Sequence, residues 1–228
     1  MYLPALPPPP TGGWDPPSIN SAALSSTLSG AGSLASTTTG PSMTTSLAAR
    51  SSTHNVLEWH PVTVTGALSA HPPVAGLGGR MVSLQALGRH GWGTVAVART
   101  RGGGSFHLRF TPRRLGSRRL RLRFAGERYL LRTTRELGRL NVYRTVEASW
   151  YGGGGALACG GSLTSATMGV ASRTLPCGTL VTLRFSGRSV RVPVVDRGPF
   201  VAGREFDLTE ATKQALGFGD TGQLWSSS

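Results

Sequence analysis

"LVTLRFSGRSVRVPVVDRGPF", residues 180–200, carries the clearest local signal for the fold. Its two runs rich in valine and leucine flank residues 186–188, so they predict two strands joined by a tight hairpin. Pro193 has no amide hydrogen to donate, and it therefore predicts an edge or a bulge in the second strand. The Arg-Gly-Pro sequence that follows ends this strand directly after Asp196. The segment indicates a β-rich domain with a carboxylate at the end of an apolar strand.

Asp196 has two interpretations at this point. An acid at the end of an apolar strand, with Arg197 beside it, is typical of a general acid/base that also binds a hydroxyl-rich or anionic ligand. The alternative is an aspartate that opens a turn by accepting hydrogen bonds from backbone amides. No histidine follows His107, so the C-terminal part of the chain contains no Ser-His or Cys-His pair of its own.

Residues 207–216 predict one helix near the C-terminus. Asp207 can cap it, Glu210 occupies the capping-box position, and Gly217 can end it. A carboxylate in a first helical turn is stabilised in its charged form, which favours a structural cap as the role of Asp207. The residues GQLW (222–225) predict a last short strand.

Residues 1–60 have a different composition from the rest of the chain. They are rich in Pro, Ser, Thr and Gly and poor in large apolar residues, so we predict a disordered arm. The N-terminus shows no basic region followed by an apolar run, as a signal peptide would, and no stretch is long enough for a transmembrane helix.

Residues 61–134 consist of short runs of alternating character. The arginine-rich runs place apolar residues on one face and arginine on the other, which is typical of half-buried strands. Five such runs at regular spacing predict a small β-sandwich of immunoglobulin-like form, followed by a connector at 135–147. The predicted strands are VTVTGAL (62–68), MVSLQAL (81–87), GTVAVART (93–100), SFHLRF (105–110) and RRLRLRF (118–124).

Arginine dominates the charge of the protein. Of 24 basic residues, 23 are arginine, against 10 acidic residues, and 16 of the arginines lie between Arg80 and Arg144. Such a surface can bind anionic polymers, including those of a cell wall. Nucleic acid is a less favoured partner, since no helix-turn-helix, zinc-finger or RNP pattern accompanies the charge.

The two cysteines, Cys159 and Cys177, lie in one small region. An even number in one domain favours a disulfide and an oxidising compartment, with a pair of free thiols as the alternative. Neither cysteine belongs to a CxxC motif, and the histidines of the chain lack ligand spacing. We therefore predict no metal site and no cofactor.

Five ordered blocks between residues 148 and 226 resemble the rare lipoprotein A (RlpA) family. This resemblance implies a six-stranded double-psi β-barrel, related to barwin and the expansins, over residues 148–226. It says nothing about residues 1–140. The blocks are ASWYG (148–152), RTLPCGT (173–179), VVDRGPF (194–200), GREFDLTEATKQALG (203–217) and GQLW (222–225).

The resemblance also implies a function and a set of site residues. Some members of the family are lytic transglycosylases, which cleave peptidoglycan glycan strands with a single acid/base and leave a 1,6-anhydro sugar. Carried over by position, Asp196 matches the catalytic acid and Asp207 the second groove acid. Trp150 and Tyr151 match sugar-stacking residues. Thr174 and Arg197, in two of the matching blocks, are further candidates for substrate binding.

The chain departs from the family at two positions. Ser172 replaces a histidine, and Gly161 replaces a glutamate. The resemblance further implies that a Cys159–Cys177 disulfide staples a loop beside the groove. The sequence thus predicts an exported, extracellular or wall-associated protein that binds peptidoglycan and cleaves it with Asp196. The alternative is an expansin-like module that binds glycan without cleaving it.

Overall fold

The computed structural model describes residues 42–228, which form fifteen strands and one helix. The predicted disorder of residues 1–41 lies outside this range. In chain order the elements are β1 Thr44–Ser51, β2 Asn55–Leu57, β3 Val62–His71, β4 Met81–Gly88, β5 Gly91–Arg99, β6 Ser105–Phe110, β7 Gly116–Phe124, β8 Thr133–Tyr151, β9 Gly155–Ala156, β10 Ser162–Leu163, β11 Val170–Ala171, β12 Leu180–Phe185, β13 Arg188–Asp196, β14 Phe206–Thr209, α1 Glu210–Leu216 and β15 Thr221–Ser226.

The N-terminal half of the described chain contains two sheets around a common core. One sheet has the order β1-β3-β6, and the other runs β5-β4-β7-β8, with β2 also paired to β8. Both sheets contribute buried side chains to one hydrophobic cluster, which includes Val64, Leu108, Leu84 and Leu122. This confirms the prediction of a mostly β fold, while the likeness to an immunoglobulin domain stays a prediction.

The predicted boundary at residue 60 is corrected by strand β1. Its residues pair with β3 over their whole length, from Thr44 opposite His71 to Ser51 opposite Val64. Leu47 is buried, and Gly66 lets the two strands approach, because a Cβ there would lie 2.2 Å from the Ala48 carbonyl oxygen. The Ser- and Thr-rich composition concealed a strand whose stability comes from its pairing partner.

The predicted connector at 135–147 is also corrected, because these residues belong to β8. This strand is 19 residues long. Its first part pairs with β7, and its last part pairs with β15 and β14. A single strand therefore runs from the sandwich into the C-terminal domain.

Six strands of the C-terminal domain close into a barrel. The order is β8, β14, β11, β13, β12 and β15, and β15 pairs back to β8. Their inward-facing side chains fill a second hydrophobic cluster, which includes Val170, Val181, Val194, Phe206 and Leu208. The predicted six-stranded barrel is thus confirmed.

The predicted hairpin is present between β12 and β13. Ser186 and Gly187 form the turn with φ of 46° and 86°, the positive values that a two-residue hairpin turn requires. Pro193 pairs with Leu180. On the other side of β13, the partner strand β11 begins only at Val170, which pairs with Val194.

The helix is shorter than predicted. It spans Glu210–Leu216, and Asp207 lies in β14 instead of at the helix cap. The reason is that β14 pairs on both sides, with β8 and with β11, and these ladders hold Asp207 in an extended conformation. Gly217 ends the helix with a φ of 65°, as predicted. Across residues 42–228, no helix has the length and apolar character needed to cross a membrane.

Cys159 and Cys177 form a disulfide, 18 residues apart in the chain. It joins the segment after β9 to the loop before β12. The bond closes a loop that contains β10 and β11, so it restricts the unfolded chain in the region that borders Asp196.

We expect the Cys159→Ser/Cys177→Ser double variant to lose about 3 kcal/mol of unfolding free energy, since loop closure over 18 residues removes that much chain entropy from the unfolded state. The measurement is chemical denaturation of both proteins with and without a reducing agent. Reductant should destabilise the wild type and leave the double variant unchanged. Equal unfolding free energies of the wild type and the double variant without reductant would contradict a stabilising role of the disulfide.

Candidate functional site

Four strands of the barrel bring a row of small and acidic side chains onto one outer face. Ser149 of β8 pairs with Asp207 of β14, Asp207 pairs with Ala171 of β11, and Ala171 pairs with Asp196 of β13. Residues that pair across a sheet project to the same face. The two aspartates therefore flank the small methyl group of Ala171. We call this face the groove.

A β-bulge turns Asp196 toward the groove. Val170 pairs with Val194 and the next residue, Ala171, pairs with Asp196, so Val195 is an extra residue in β13. Without the extra residue, the Asp196 side chain would face the same side as that of Val194, which is buried in the barrel core. Bulges of this kind redirect side chains next to functional sites.

Gly169 makes room for the bulge. A Cβ at this position would lie 2.4 Å from a Val195 side-chain carbon, which is closer than two such atoms can approach. The Gly169 amide donates to the buried hydroxyl of Thr212 at 2.9 Å, and the same hydroxyl is 2.9 Å from the Gly169 carbonyl oxygen. Helix α1 thus fixes the strand that carries the row of groove residues.

The carboxylate of Asp196 is held by the backbone on one side only. Its Oδ1 accepts hydrogen bonds from the amides of Ala158 and Arg197, both at 2.8 Å. Its Oδ2 accepts no hydrogen bond of ordinary geometry within residues 42–228, and the side chain is half-buried. One oxygen thus accepts the amides of the turn, as the second interpretation predicts, and the role of Asp196 as an acid/base stays a prediction.

Tyr151 lies at the end of β8 on the same face as Ser149. Its hydroxyl is buried, and among the described residues it forms no hydrogen bond of ordinary geometry. Burial raises the pKa of the Tyr151 phenol most. The Asp196 carboxylate raises this pKa further, by its charge and as a neighbouring acceptor for the phenol proton, and the Asp207 charge adds to this. The phenol is therefore neutral and holds a proton beside two acidic groups.

Asp207 is more fully paired than Asp196. The Ser149 hydroxyl donates to Asp207 Oδ1, and Arg204 Nη1 donates to the Ser149 Oγ at 3.1 Å. The three side chains form a hydrogen-bonded chain from a guanidinium to a carboxylate. Ser149 and Arg204 were not predicted as site residues, because only the strand register and the fold bring them to Asp207.

The Arg197 guanidinium is directed at the disulfide loop. Its Nη1 donates to the carbonyl oxygens of Ser172 at 3.0 Å and Leu175 at 2.8 Å, and its Nη2 lies 3.1 Å from the Cys177 Sγ. Thr174 is exposed on the same loop. Arg197 thus supports the wall of the groove, and its contact with a substrate stays a prediction, as does that of Thr174.

Trp150 and Tyr151 point to opposite sides of β8, since successive strand residues alternate. The Trp150 indole donates to Asp220 Oδ1 at 2.9 Å, and the Lys213 ammonium lies 3.9 Å from its ring centroid. The same two partners, Lys213 first, lower the pKa of the Asp220 carboxyl. The structure therefore does not bring Trp150 into the row of groove residues.

Phe200 is the aromatic side chain most exposed beside this row. It is 84 % exposed and lies two residues after Gly198, which has a φ of 134°. A Cβ placed at Gly198 would lie 3.8 Å from both the Phe200 ring and Asp207 Oδ2. Phe200 was not predicted as a site residue, although it ends the sequence block that contains Asp196.

The two departures from the family leave no second proton donor at their positions. Ser172 is 1 % exposed, and its hydroxyl accepts a hydrogen bond from the Leu175 amide at 3.3 Å. Gly161 is an exposed turn residue with a φ of 83°. Across residues 42–228, no three His, Cys, Asp or Glu side chains cluster in a way that could hold a metal ion.

The sequence of this domain matches known proteins. Residues 143–224 match a family described as "Lytic transglycolase". The chain is 41% identical over 100 residues to "Probable endolytic peptidoglycan transglycosylase RlpA" of Aquifex aeolicus (strain VF5), covering 41% of this chain and 44% of the relative. It is 42% identical over 87 residues to "Endolytic peptidoglycan transglycosylase RlpA" of Pseudomonas aeruginosa (strain UCBPP-PA14), covering 36% of this chain and 26% of the relative.

The chain therefore spans less than half the length of these two relatives. Among solved structures, "Streptomyces papain inhibitor (SPI)" aligns with 37% of this chain and 92% of its own at 20% identity and a TM-score of 0.32. Together with the closed six-stranded barrel, the sequence matches show that residues 143–224 form an RlpA-like double-psi β-barrel domain.

Proposed function

We propose that the protein acts on peptidoglycan glycan strands in the cell wall as a lytic transglycosylase, with Asp196 as its acid/base. The observation that carries this proposal is the Asp196 carboxylate, fixed by two amides through Oδ1 and open to the groove through Oδ2. The names of the RlpA relatives support peptidoglycan as the substrate. The disulfide supports an exported, extracellular or wall-associated protein, because such bonds persist in oxidising compartments.

One carboxyl group is enough for this reaction. Protonated at Oδ2, Asp196 donates its proton to the glycosidic oxygen as the bond from that oxygen to the sugar C1 breaks. The 6-hydroxyl oxygen of the same sugar then bonds to C1, and Asp196 takes the hydroxyl proton. The products are a free sugar hydroxyl and a 1,6-anhydro ring, and no water is consumed. A hydrolytic glycosidase would need two carboxyl groups at a defined separation.

The other groove residues have supporting roles in this proposal. The Tyr151 phenol donates a hydrogen bond to the bound sugar, because it is buried beside Asp196 and forms no hydrogen bond of ordinary geometry among the described residues. Asp207, held by Ser149, accepts a hydrogen bond from a sugar hydroxyl beside Asp196. Phe200 offers an exposed ring for contact with a sugar face.

A second candidate function is glycan binding without cleavage, as in an expansin-like wall module. The observation that favours it is Ser172, which is buried and bonded to the Leu175 amide where the family has a histidine. The groove would then hold a glycan strand with the same residues, and Asp196 would act only as a hydrogen-bond acceptor.

We expect Asp196→Asn to reduce release of 1,6-anhydro-muropeptides by at least about 100-fold, the lower end of what a general acid/base contributes. The assay incubates the full chain with insoluble peptidoglycan and quantifies soluble products by mass spectrometry. Glu136→Gln, the loss of an exposed carboxylate on the sandwich, is the matched control and should keep wild-type activity.

The outcomes separate the two functions. Retention of the wild-type protein on the insoluble wall with no soluble product would establish the binding function and refute cleavage. Equal product release by wild type and Asp196→Asn would refute the assignment of the acid/base.

We expect Tyr151→Phe to lose activity without losing stability. The variant keeps the ring and removes a hydroxyl that has no hydrogen-bond partner among the described residues, so the melting temperature should stay equal or rise. Product release should fall by about 10-fold to 100-fold if the phenol donates to the sugar. Thermal unfolding and the muropeptide assay are measured on the same preparation. A lower melting temperature with unchanged activity would show a purely structural role.

We expect Phe200→Ala to weaken retention on insoluble peptidoglycan by about fivefold, the effect of losing one aromatic contact of about 1 kcal/mol. The control is Leu180→Ala, which removes another exposed apolar side chain of the barrel, 51% exposed. Binding is measured by co-sedimentation over a range of peptidoglycan concentrations. The same loss in both variants would contradict a specific contact at Phe200.

A further inference from the structure

A second concave surface lies on the sandwich and shares no residue with the groove. It is a cavity of about 740 Å³, within the size range of sites that hold a small organic ligand. Its floor is apolar and consists of Ala86, Leu120, Leu140 and Val142. Four arginines also line it: Arg109, Arg113, Arg114 and Arg118. We call it the arginine cavity.

The alternation of β7 explains why an arginine stands beside an apolar floor. Leu120, Leu122 and Phe124 are buried, so the even-numbered residues of this strand face the core. Arg118 continues this inward-facing row toward the open end of the sandwich. Its neighbour in the next strand is Leu140. A charged side chain thus occupies a position where the pattern calls for an apolar one.

The small side chain of Ala86 leaves space at this end of the core. Ala86 pairs with Leu120 across β4 and β7, so the two side chains lie on the same face of the sheet. Ala86 and Leu120 are both 8% exposed or less, which places them within the cavity wall and not on the open surface. The cavity is therefore part of the packing of the sandwich.

The charges of the arginine cavity are not neutralised by the protein. Within residues 42–228, none of the guanidinium groups of Arg109, Arg113, Arg114 and Arg118 forms a salt bridge or a side-chain hydrogen bond. Arg113 lies over the Trp59 ring, 5.1 Å from its centroid, which orients the guanidinium without changing its charge. No carboxylate lines the cavity.

The cavity opens into an adjoining cleft of about 1350 Å³, which shares Arg113, Arg114 and Arg118 with it. This cleft adds another arginine, Arg89, and one carboxylate, Glu58. The combined surface therefore remains strongly positive around an apolar floor.

We propose that the arginine cavity binds a phospholipid, with the phosphate at the guanidinium groups and a hydrocarbon chain on the apolar floor. Guanidinium groups match the geometry of phosphate oxygens and bind them through paired hydrogen bonds. The apolar floor distinguishes a lipid from a polyanion such as nucleic acid, which would need an extended charged surface and would leave the floor unused. This inference is independent of the proposed action on peptidoglycan.

The test measures binding of dodecyl phosphate to the full chain by titration calorimetry, below the concentration at which this amphiphile forms micelles. Inorganic phosphate is the reference ligand. We expect dodecyl phosphate to bind at least about 100-fold more tightly, because its hydrocarbon chain is removed from water on the apolar floor and inorganic phosphate has no such chain. Equal affinity for the two ligands would overturn the proposal, since the apolar floor would then contribute nothing.

Substitution of an arginine tests the proposed phosphate site. Arg118→Gln should weaken dodecyl phosphate binding by about 10-fold or more, the effect of losing a charged hydrogen bond. The matched control is Arg123→Gln on the same strand, where Arg123 is exposed and faces outward; it should bind like wild type. Equal losses in the two variants would show general charge attraction and refute the cavity.

Ala86→Leu tests the floor by filling it. This variant should weaken dodecyl phosphate binding and leave the weak binding of inorganic phosphate unchanged, and its thermal unfolding shows that the sandwich is folded. Unchanged dodecyl phosphate binding in a folded Ala86→Leu protein would refute the proposed site for the hydrocarbon chain.

Sedimentation with phosphatidylglycerol vesicles, compared with phosphatidylcholine vesicles, tests the same site on a membrane. Retention of the Arg118→Gln variant on the anionic vesicles at the wild-type level would contradict the proposal.

Discussion

The backbone hydrogen bonds of β8 are the constraint on which the described structure depends. The first part of this 19-residue strand belongs to one sheet of the sandwich, and its last part is one of the six strands of the barrel. Its last part has partners on both sides, β14 and β15, so it cannot rotate without breaking two ladders. Ser149 and Tyr151 take their positions in the groove from this pairing, and Asp207 is placed by the same register.

The groove contrasts with the rest of the surface in its charge. The protein has 24 basic and 10 acidic residues, yet two of its aspartates meet here on either side of Ala171. They are not equivalent, because Ser149 and Arg204 pair with Asp207, whereas Asp196 keeps one oxygen free. That asymmetry places the two carboxyl groups in different hydrogen-bonding environments. Tyr151 adds a neutral donor whose proton is held by burial and by these two charges.

The sequence was most informative where local chemistry decides the backbone. The turn at Ser186 and Gly187, the helix end at Gly217 and the cysteine pair were all predictable, because each depends on residue types within a few positions or on a count. Asp207 was placed in a helix because its neighbours fit a helical pattern, and pairing with two strands decides otherwise. The bulge at Val195 could not be predicted from local sequence, since it depends on space left by Gly169, the residue before β11. Strand β1 was missed for the same reason: its partner, not its composition, makes it a strand.

The continuity of β8 has a geometric consequence for the whole molecule. Leu140, in the floor of the arginine cavity, and Ser149, in the groove, are nine residues apart on one extended strand. At about 3.3 Å per residue, that separation is roughly 30 Å. The pairing of β8 thus fixes the distance between the arginine cavity and the groove. Under the two proposed functions together, a lipid layer bound at the cavity would set the depth at which the groove meets a glycan strand.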